Sequence, residues 1–217
     1  MSGADKGMFH VKHEIAEQAL ALDSRFGIDE AIAARLETFA AHLEKWQKAI
    51  NLVGPKTLPQ LWQRHILDSL QLVPLIPQGA RTIVDVGSGA GFPGLILALL
   101  GRWEVHLVES DTRKSVFLRD SARLCGATAT VHAKRIESLS EPKADVLTAR
   151  ALAPVAELLA LTEGLRTPET LCLFPKGRSA RAELTEAEKT WTLAAETVPS
   201  LTDAEAVVVK ISEVVRK

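Results

Sequence analysis

The sequence predicts an α/β protein with a doubly wound, Rossmann-like, mostly parallel sheet, an N-terminal helical cap and a C-terminal antiparallel hairpin. Three observations favour this fold. A glycine-rich turn joins an apolar strand to a helix at residues 82–100, strand and helix patterns alternate from there to residue 189, and amphipathic helices precede the turn. Alternating strands and helices build parallel sheets that helices cover on both faces.

The composition is that of an ordinary globular protein. The 217 residues are 47% hydrophobic and 24% charged, with a net charge of −1, which suits one α/β domain with an appendage. No apolar run approaches the ~20 residues that cross a bilayer, and no signal-peptide core is present, so we expect a cytoplasmic protein without membrane contact. Cys125 and Cys172 form no C-x-x-C pair, so we expect buried thiols and no disulfide or metal site.

The chain divides into three parts by pattern. Residues 1–12 show no periodicity, and we expect them to be disordered. Residues 13–78 should form the helical cap, because apolar residues recur at steps of three and four over 29–50 and again over 62–73. The sheet domain should occupy residues 79–217.

The sheet domain alternates between strands and helices. The predicted order is strand 82–87, helix 93–100, strand 105–109, helix 112–125, strand 129–133, strand 145–149, helix 154–165, strand 170–174 and helix 179–189. Two further strands, 192–198 and 206–211, have no helix between them and should pair as a hairpin.

The turn after the first strand holds Gly87, Gly89 and Gly91, with Asp85 inside the strand. No Gly-Lys-Ser/Thr follows, which excludes a P-loop. The spacing is G-x-G-x-G, whereas dinucleotide-binding turns have G-x-G-x-x-G. It resembles motif I of the S-adenosylmethionine (SAM) methyltransferases, in which the three glycines let the backbone approach the ligand. NAD binding, or a turn that serves only packing, are the alternatives.

Other ligand contacts should lie at the carboxyl ends of the next strands, where open α/β sheets bind ligands. Glu109 ends the second strand about 20 residues after the glycines, the usual place of the acid that binds ribose hydroxyls. Backbone groups of Ile136 and Glu137, after the third strand, should read the adenine. Glu109 could instead be a plain surface acid. Arg113 and Lys114, which follow it in the chain, could form a solvated helix face without any ligand contact.

The end of the fourth strand indicates which chemistry follows. Methylation of exocyclic base amines needs Asn/Asp-Pro-Pro-aromatic there, but this chain has Thr148-Ala149-Arg150-Ala151. Methylation of pyrimidine C5 needs a thiolate, and neither cysteine is placed to supply one. A guanine N7 fits what remains, because its lone pair attacks without loss of a proton. We therefore expect no general base, with His65 and Arg150 as positioning residues.

The chain resembles the bacterial 16S rRNA (guanine-N7) methyltransferase G family, also called glucose-inhibited division protein B. The residues that carry the resemblance are Asn51-Leu52-Val53, Arg64-His65-Ile66-Leu67-Asp68-Ser69, Asp85 to Gly94, Lys114, Phe117-Leu118, Arg150-Ala151 and Lys176-Gly177. The resemblance implies methylation of guanine 527 in 16S rRNA. We expect the partner to be 16S rRNA within the 30S subunit or an assembly intermediate, with naked rRNA as the alternative, and we expect the protein to be a monomer.

The same resemblance implies that SAM contacts Gly87, Phe92, Ile136, Glu137 and Arg150. One position departs from the family, which usually has Arg-Ala-Glu where this chain has Arg135-Ile136-Glu137. Because backbone contacts suffice at the middle position, we expect SAM binding to survive.

Five residues are candidates for contact with RNA: Arg64, His65, Lys176, Arg178 and Arg181. The last three form a basic group after the fifth strand, and an ordinary solvated surface is the alternative. Arg64 could instead pair with Asp68, four residues on in the same helix. His65 could simply pack between cap and sheet, and Arg150 could pair with Glu137.

Two other classes of function stay open from sequence alone. One is a SAM-dependent enzyme that acts on a small molecule, for which a basic rim has no use. The other is a regulatory module that binds SAM or NAD without catalysis. Strong salt dependence of substrate binding would argue against the first.

Overall fold

A computed structural model describes residues 18–19, 21 and 23–217 of the chain. The predicted disordered segment, residues 1–12, lies outside the described residues. The described part of the cap contains a short helix α1, Asp23–Phe26, and a long helix α2, Glu30–Gln47. Asp29 caps α2, because its Oδ1 accepts a hydrogen bond of 2.8 Å from the Ile32 N–H.

The second predicted cap helix is irregular. A 3₁₀ turn, Leu58–Gln60, leads into a π-helical segment, Trp62–Leu67, which continues as helix α3, Asp68–Leu70. A second 3₁₀ turn, Val73–Leu75, ends the cap. Periodicity predicted one regular helix here, because it does not register the extra residue that a π turn accommodates.

The sheet has seven strands in the order β3-β2-β1-β4-β5-β7-β6. They are β1 Thr82–Val86, β2 Glu104–Val108, β3 Ala129–His132, β4 Val146–Ala149, β5 Leu171–Lys176, β6 Trp191–Pro199 and β7 Val207–Arg216. Strands β1 to β5 pair in parallel, and β7 pairs antiparallel with both β5 and β6. The predicted fold class and hairpin are confirmed.

The predicted hairpin strand 206–211 ended too early. β7 continues to Arg216, and the pairing of β6 with β7 shifts register between Thr192 and Ala194. Glu213 has a positive φ of 55° in this region. An irregularity of this kind interrupts the alternation of apolar and polar residues by which a strand is recognised.

Four helices follow the strands: α4 Gly94–Leu99, α5 Thr112–Leu124, α6 Val155–Leu161 and α7 Ala180–Ala187. The predicted helix 154–165 is divided, since α6 ends at Leu161 and a 3₁₀ turn, Glu163–Leu165, follows. Between β3 and β4 the described helical structure is a single 3₁₀ turn, Ile136–Ser138. No described helix has both the length and the apolar character needed to cross a membrane.

The two faces of the sheet carry two hydrophobic clusters. One contains Ile83 and Leu107 together with Leu36 and Phe39 of the cap helix α2. The other packs alternate strand residues, such as Val84, against α6 and α7. The cap therefore shares a continuous core with the sheet and is held close to the carboxyl ends of its strands.

Candidate cofactor and methyl-transfer site

The three glycines of the turn after β1 have different roles. All three have positive φ angles, 65° at Gly87, 53° at Gly89 and 90° at Gly91, which favour glycine. A Cβ atom on Gly91 would lie 2.9 Å from the Leu95 Cβ, so this glycine is required for helix packing. A Cβ on Gly89 would meet nothing nearer than the Gly87 oxygen at 3.7 Å. The protein thus leaves open space beside Gly89.

Glu109 is a buried acid that holds this turn. Its Oε2 accepts a hydrogen bond from the Gly89 N–H (2.9 Å), and its Oε1 accepts one from the Asp111 N–H (2.8 Å). The residue is 8% exposed, which excludes the surface-acid alternative. Each carboxylate oxygen can accept a further hydrogen bond from a ligand hydroxyl.

Asp85 lies beneath the turn and is fully buried. Its Oδ1 accepts a hydrogen bond of 2.7 Å from the Thr148 hydroxyl, whereas Oδ2 has no hydrogen-bond partner within the described residues. Burial raises the pKa of Asp85 to about 6, against the hydrogen bond from Thr148, which favours the charged form.

A cavity of about 360 Å³ opens at the carboxyl edge of the sheet. Residues from four strand ends line it: Gly87, Gly89, Val108, Glu109, Ser110, Lys114, Arg135, Ile136, Glu137, Ala151, Leu152, Ala153, Glu157 and Leu161. The structure thus brings together five predicted cofactor residues. Lys114 also faces the cavity, against the interpretation of it as a solvated helix face.

The cavity suits SAM in shape and charge. The space beside Gly89 is a cradle that any side chain would fill. The three glutamates on the walls would favour the cationic sulfonium and ammonium groups of SAM, and Lys114 and Arg135 would favour its carboxylate. Sequence reasoning missed Glu157 and Leu161, which lie on α6. Their helical spacing is that of an ordinary amphipathic helix, so no local signal marks them.

The side chains of Phe92 and Arg150, two other predicted cofactor residues, contact the cap and do not line the cavity. The Phe92 ring is buried, with its centroid 5.0 Å from that of His65 in a stacked arrangement and 5.5 Å from that of Phe39. The Arg150 guanidinium lies 5.0 Å from the same ring. Contact of SAM with Gly91, Phe92 or Arg150 stays a prediction. Because none of the three has a side chain that lines the cavity, backbone atoms of these residues would have to make that contact.

Arg150 binds the cap through a partly buried polar network. Its Nη1 donates hydrogen bonds of 3.1 Å to Asp68 Oδ2 and to the Arg64 carbonyl. Its Nη2 lies 2.9 Å from His65 Nδ1. Asp68 therefore pairs with Arg150 and not with Arg64, and Arg150 does not pair with Glu137. The exposed Arg64 forms an ion pair of 3.2 Å with Asp203 instead.

His65 packs between the cap and the glycine turn and is 9% exposed. Burial, and then the neighbouring charges of Arg150 and Arg64, lower its pKa to about 4. Since arginine only donates hydrogen bonds, His65 Nδ1 accepts one from Arg150. The proton therefore lies on Nε2, which donates a hydrogen bond of 2.8 Å to the Thr57 hydroxyl. The packing interpretation of His65 is the one this geometry supports.

The basic group after β5 is not a single exposed patch. Lys176 is buried, with a side chain 9% exposed, and forms an ion pair of 2.8 Å with Glu183. Arg178 is 80% exposed and pairs with Glu205. Arg181 is exposed, with no ion pair among the described residues. The expectation of an RNA contact is thus compatible with the position of Arg178 and Arg181, but Lys176 is engaged internally.

Both cysteines are free and buried, as predicted. Burial raises the pKa of Cys125 to about 11 and that of Cys172 to about 12. Neither thiol is a thiolate at neutral pH, so neither can serve as the nucleophile that pyrimidine C5 chemistry requires.

The fold and the cavity together define a class I SAM-dependent methyltransferase. A solved structure of similar fold is the ribosomal protein L11 methylase of Lactobacillus delbrueckii subsp. bulgaricus, with a TM-score of 0.55 and 16% identity over 68% of this chain and 76% of that one.

Comparison with sequence families is more specific. Residues 32–209 match the family model of rRNA small subunit methyltransferase G. The relative named ribosomal RNA small subunit methyltransferase G in Rhodospirillum centenum is 50% identical over 91% of both chains. The protein of that name in Paramagnetospirillum magneticum is 52% identical over 89% of this chain and 94% of its own. The chain belongs to this family, and the resemblance found in the sequence is confirmed.

Proposed function

We propose that this methyltransferase transfers a methyl group from SAM to N7 of guanine 527 in 16S rRNA. The names of its relatives support small-subunit rRNA as the substrate class. We further propose that it acts in the cytoplasm, as a monomer, on the 30S particle or an assembly intermediate. Arg64, Arg178 and Arg181 would contact RNA phosphates, because their guanidinium groups are exposed near the cap and the end of β5.

One observation carries the choice of N7. Both ring nitrogens of His65 are engaged, one by Arg150 and one by Thr57, and its pKa is lowered to about 4. The two buried thiols keep their protons at neutral pH, because their pKa values are raised. Guanine N7 has a lone pair in the ring plane and loses no proton when it is methylated, so a site without an available histidine or thiolate base suits it. Catalysis would rest on positioning and electrostatics.

The residues of the cavity would divide the work of binding the cofactor. When bound, SAM supplies an electrophilic methyl group on its sulfonium. The backbone at Gly87 and Gly89 would accommodate the methionine half, Glu109 would accept hydrogen bonds from the ribose hydroxyls, and backbone groups at Ile136 and Glu137 would contact the adenine. Arg150 would hold the end of β4 against the cap, through its bonds to Asp68 and His65.

The test is to map the methyl group on the RNA product. Naked 16S rRNA and 30S particles lacking the modification are each incubated with SAM and the protein, then reduced and treated with aniline, which cleaves at N7-methylguanosine. We expect a single cleavage at guanine 527, and none with the Gly89→Val variant, whose side chain would fill the space for SAM. A methyl group on an exocyclic amine or a pyrimidine carbon would overturn the proposal. Faster transfer to one of the two substrates identifies the form of the RNA that is used.

A further inference from the structure

The segment that leaves β4, residues 151–155, forms one wall of the cavity. Ala151, Leu152 and Ala153 all line it. Ala151 has a positive φ of 53°, which is uncommon for a residue with a side chain. Leu152 is 41% exposed, and its Cδ1 would lie 2.8 Å from a Cβ atom on Gly87. The segment thus runs over the glycine turn in a strained conformation, which surrounding contacts must hold.

Two charged side chains tie this segment to the rest of the domain. Lys176 Nζ, at the end of β5, donates a hydrogen bond of 2.6 Å to the Ala153 carbonyl. The same Nζ lies 2.8 Å from Oε2 of Glu183 on α7, and that Oε2 accepts a hydrogen bond of 3.1 Å from the Val155 N–H. The lysine and glutamate therefore grip the segment on both sides of Pro154.

The pair is built as an internal contact. Both side chains are largely buried, at 9% and 18% exposure. Ser179 donates a further hydrogen bond of 2.6 Å to Glu183 Oε1. Burial raises the pKa of Glu183, but the hydrogen bonds from Lys176, Ser179 and the Val155 N–H, together with the charge of Lys176, lower it below its usual value, so the carboxylate stays charged. Two of the three N–H donors of Lys176 are engaged and its side chain is only 9% exposed, so little of it is accessible to a phosphate.

We propose that Lys176 and Glu183 are positioning residues, which hold the segment after β4 over the glycine turn so that the cavity keeps its wall where the methyl group is transferred. Leu152 lies next to the anchored Ala153, so loss of the anchor frees the side chain that covers Gly87. This assignment rests on the proposed methyl transfer, and it replaces the RNA contact that the sequence suggested for Lys176.

The test compares Lys176→Met, which keeps the length of the side chain, with Glu183→Gln, which keeps its shape, and with the double variant. We expect single-turnover methyl transfer at saturating substrates to fall on the order of 10- to 100-fold in each, as a small misplacement does. The double variant should be about as slow as the single variants, since each substitution already disrupts the same anchor of residues 151–155. The KM for RNA and the salt dependence of RNA binding should not change.

Amide hydrogen exchange of the ligand-free protein gives a second readout that does not depend on the activity. Exchange over residues 151–155 should be about 10-fold faster in both single variants, because their anchor is gone. It would remain faster even if the methylated atom were not guanine N7. Lys189→Met and Glu186→Gln alter an exposed ion pair at the end of α7 and serve as matched controls; both should resemble the wild type.

Three results would overturn the proposal. A log–log salt slope reduced by ~0.7–0.9 in Lys176→Met, with stronger RNA binding in Glu183→Gln, would make Lys176 a phosphate contact. Unchanged methyl transfer in folded single variants would show that the segment needs no anchor for catalysis. Unchanged exchange over 151–155 would show that the pair does not hold it.

Discussion

The Arg150 guanidinium donates a hydrogen bond of 2.9 Å to Nδ1 of His65, and so joins the end of strand β4 to the cap. The two residues are 85 positions apart in the chain. Their contact fixes the proton of the buried imidazole on Nε2, and both groups lie against the Phe92 ring of the glycine turn. Cap, turn and strand end are thereby held in one arrangement beside the cavity.

The first prediction concerns the pH dependence of methyl transfer. With the His65 pKa lowered to about 4, no histidine at this site titrates between about pH 6.5 and 9, and guanine N7 needs no deprotonation. Single-turnover transfer with both substrates saturating should therefore be nearly flat over this range. His65→Ala should lower the rate without adding or removing a pH step. A steep step in the wild type that vanishes in His65→Ala would mean that histidine acts as a base.

The second prediction concerns stability between pH 4 and 6.5, where two buried groups act in opposite directions. The pKa of His65 is lowered from 6.5 to about 4, so its contribution to stability is complete above pH 6.5 and is lost as the pH falls towards 4. The pKa of Asp85 is raised from 3.8 to about 6, so its contribution is complete below pH 3.8 and is lost as the pH rises towards 6. The two contributions largely cancel in the wild type.

Variants separate the two contributions. His65→Phe keeps a ring against Phe92, and relative to the wild type its free energy of unfolding should fall with rising pH. Asp85→Asn keeps an acceptor for Thr148, and its free energy of unfolding should rise with pH. Each slope is at most about 1.4 kcal/mol per pH unit, because one proton is involved. Urea denaturation at half-unit steps of pH measures both, and slopes equal to that of the wild type would contradict the prediction.

Local patterns predicted the architecture well, because each strand and the glycine turn are encoded by adjacent residues. They failed where a side chain's partner is distant in sequence. Lys176 stands close to Arg178 and Arg181 and resembles one basic group with them, but Ala153 lies 23 positions before it. Glu183 is nearby in sequence, but it faces Lys176 only through the turn that leads into α7. Likewise, Asp68 is four residues from Arg64, but its partner is Arg150, which reaches it only once the cap has folded onto the sheet.

The third prediction uses the open space beside Gly89. Gly89→Val should abolish SAM binding, because the new side chain would fill the cradle, and the φ of 53° would also be strained. Gly79→Val is the matched control, since a Cβ atom there meets nothing within 4 Å and the glycine lies outside the cavity. Calorimetry with SAM should give no signal for the first variant and wild-type affinity for the second. Wild-type affinity in Gly89→Val would mean that the ligand lies elsewhere.

The fourth prediction concerns Glu109, which holds the turn and faces the cavity at once. Glu109→Ala should weaken SAM binding by about 1.5–3 kcal/mol, the usual loss for a hydrogen bond to a charged group, or roughly 10- to 200-fold in Kd. Glu137→Ala is a useful comparison. Its side chain is exposed, and the adenine is expected to contact backbone atoms there, so binding should weaken less. Equal losses in the two variants, measured by calorimetry, would argue against Glu109 as the ribose ligand.

The last prediction concerns the exposed arginines. Arg64 and Arg178 are paired with Asp203 and Glu205 on the turn between β6 and β7. Exposed ion pairs contribute only about 0–1 kcal/mol, so RNA phosphates can replace these carboxylates at little cost. Changing Arg64, Arg178 and Arg181 to alanine should weaken RNA binding and reduce the log–log salt slope by up to ~0.7–0.9 for each phosphate that is no longer bound. SAM affinity should be unchanged, because none of the three lines the cavity.

A matched triple variant separates local phosphate binding from general electrostatics. Lys189, Lys210 and Arg216 also form exposed or half-exposed ion pairs, with Glu186, Glu196 and Glu163. Changing these three to alanine alters the net charge by the same amount away from the cap, and the salt slope should stay at the wild-type value. If both triple variants lowered the slope equally, the arginines near the cap would have no special role, and RNA would be attracted by overall charge alone.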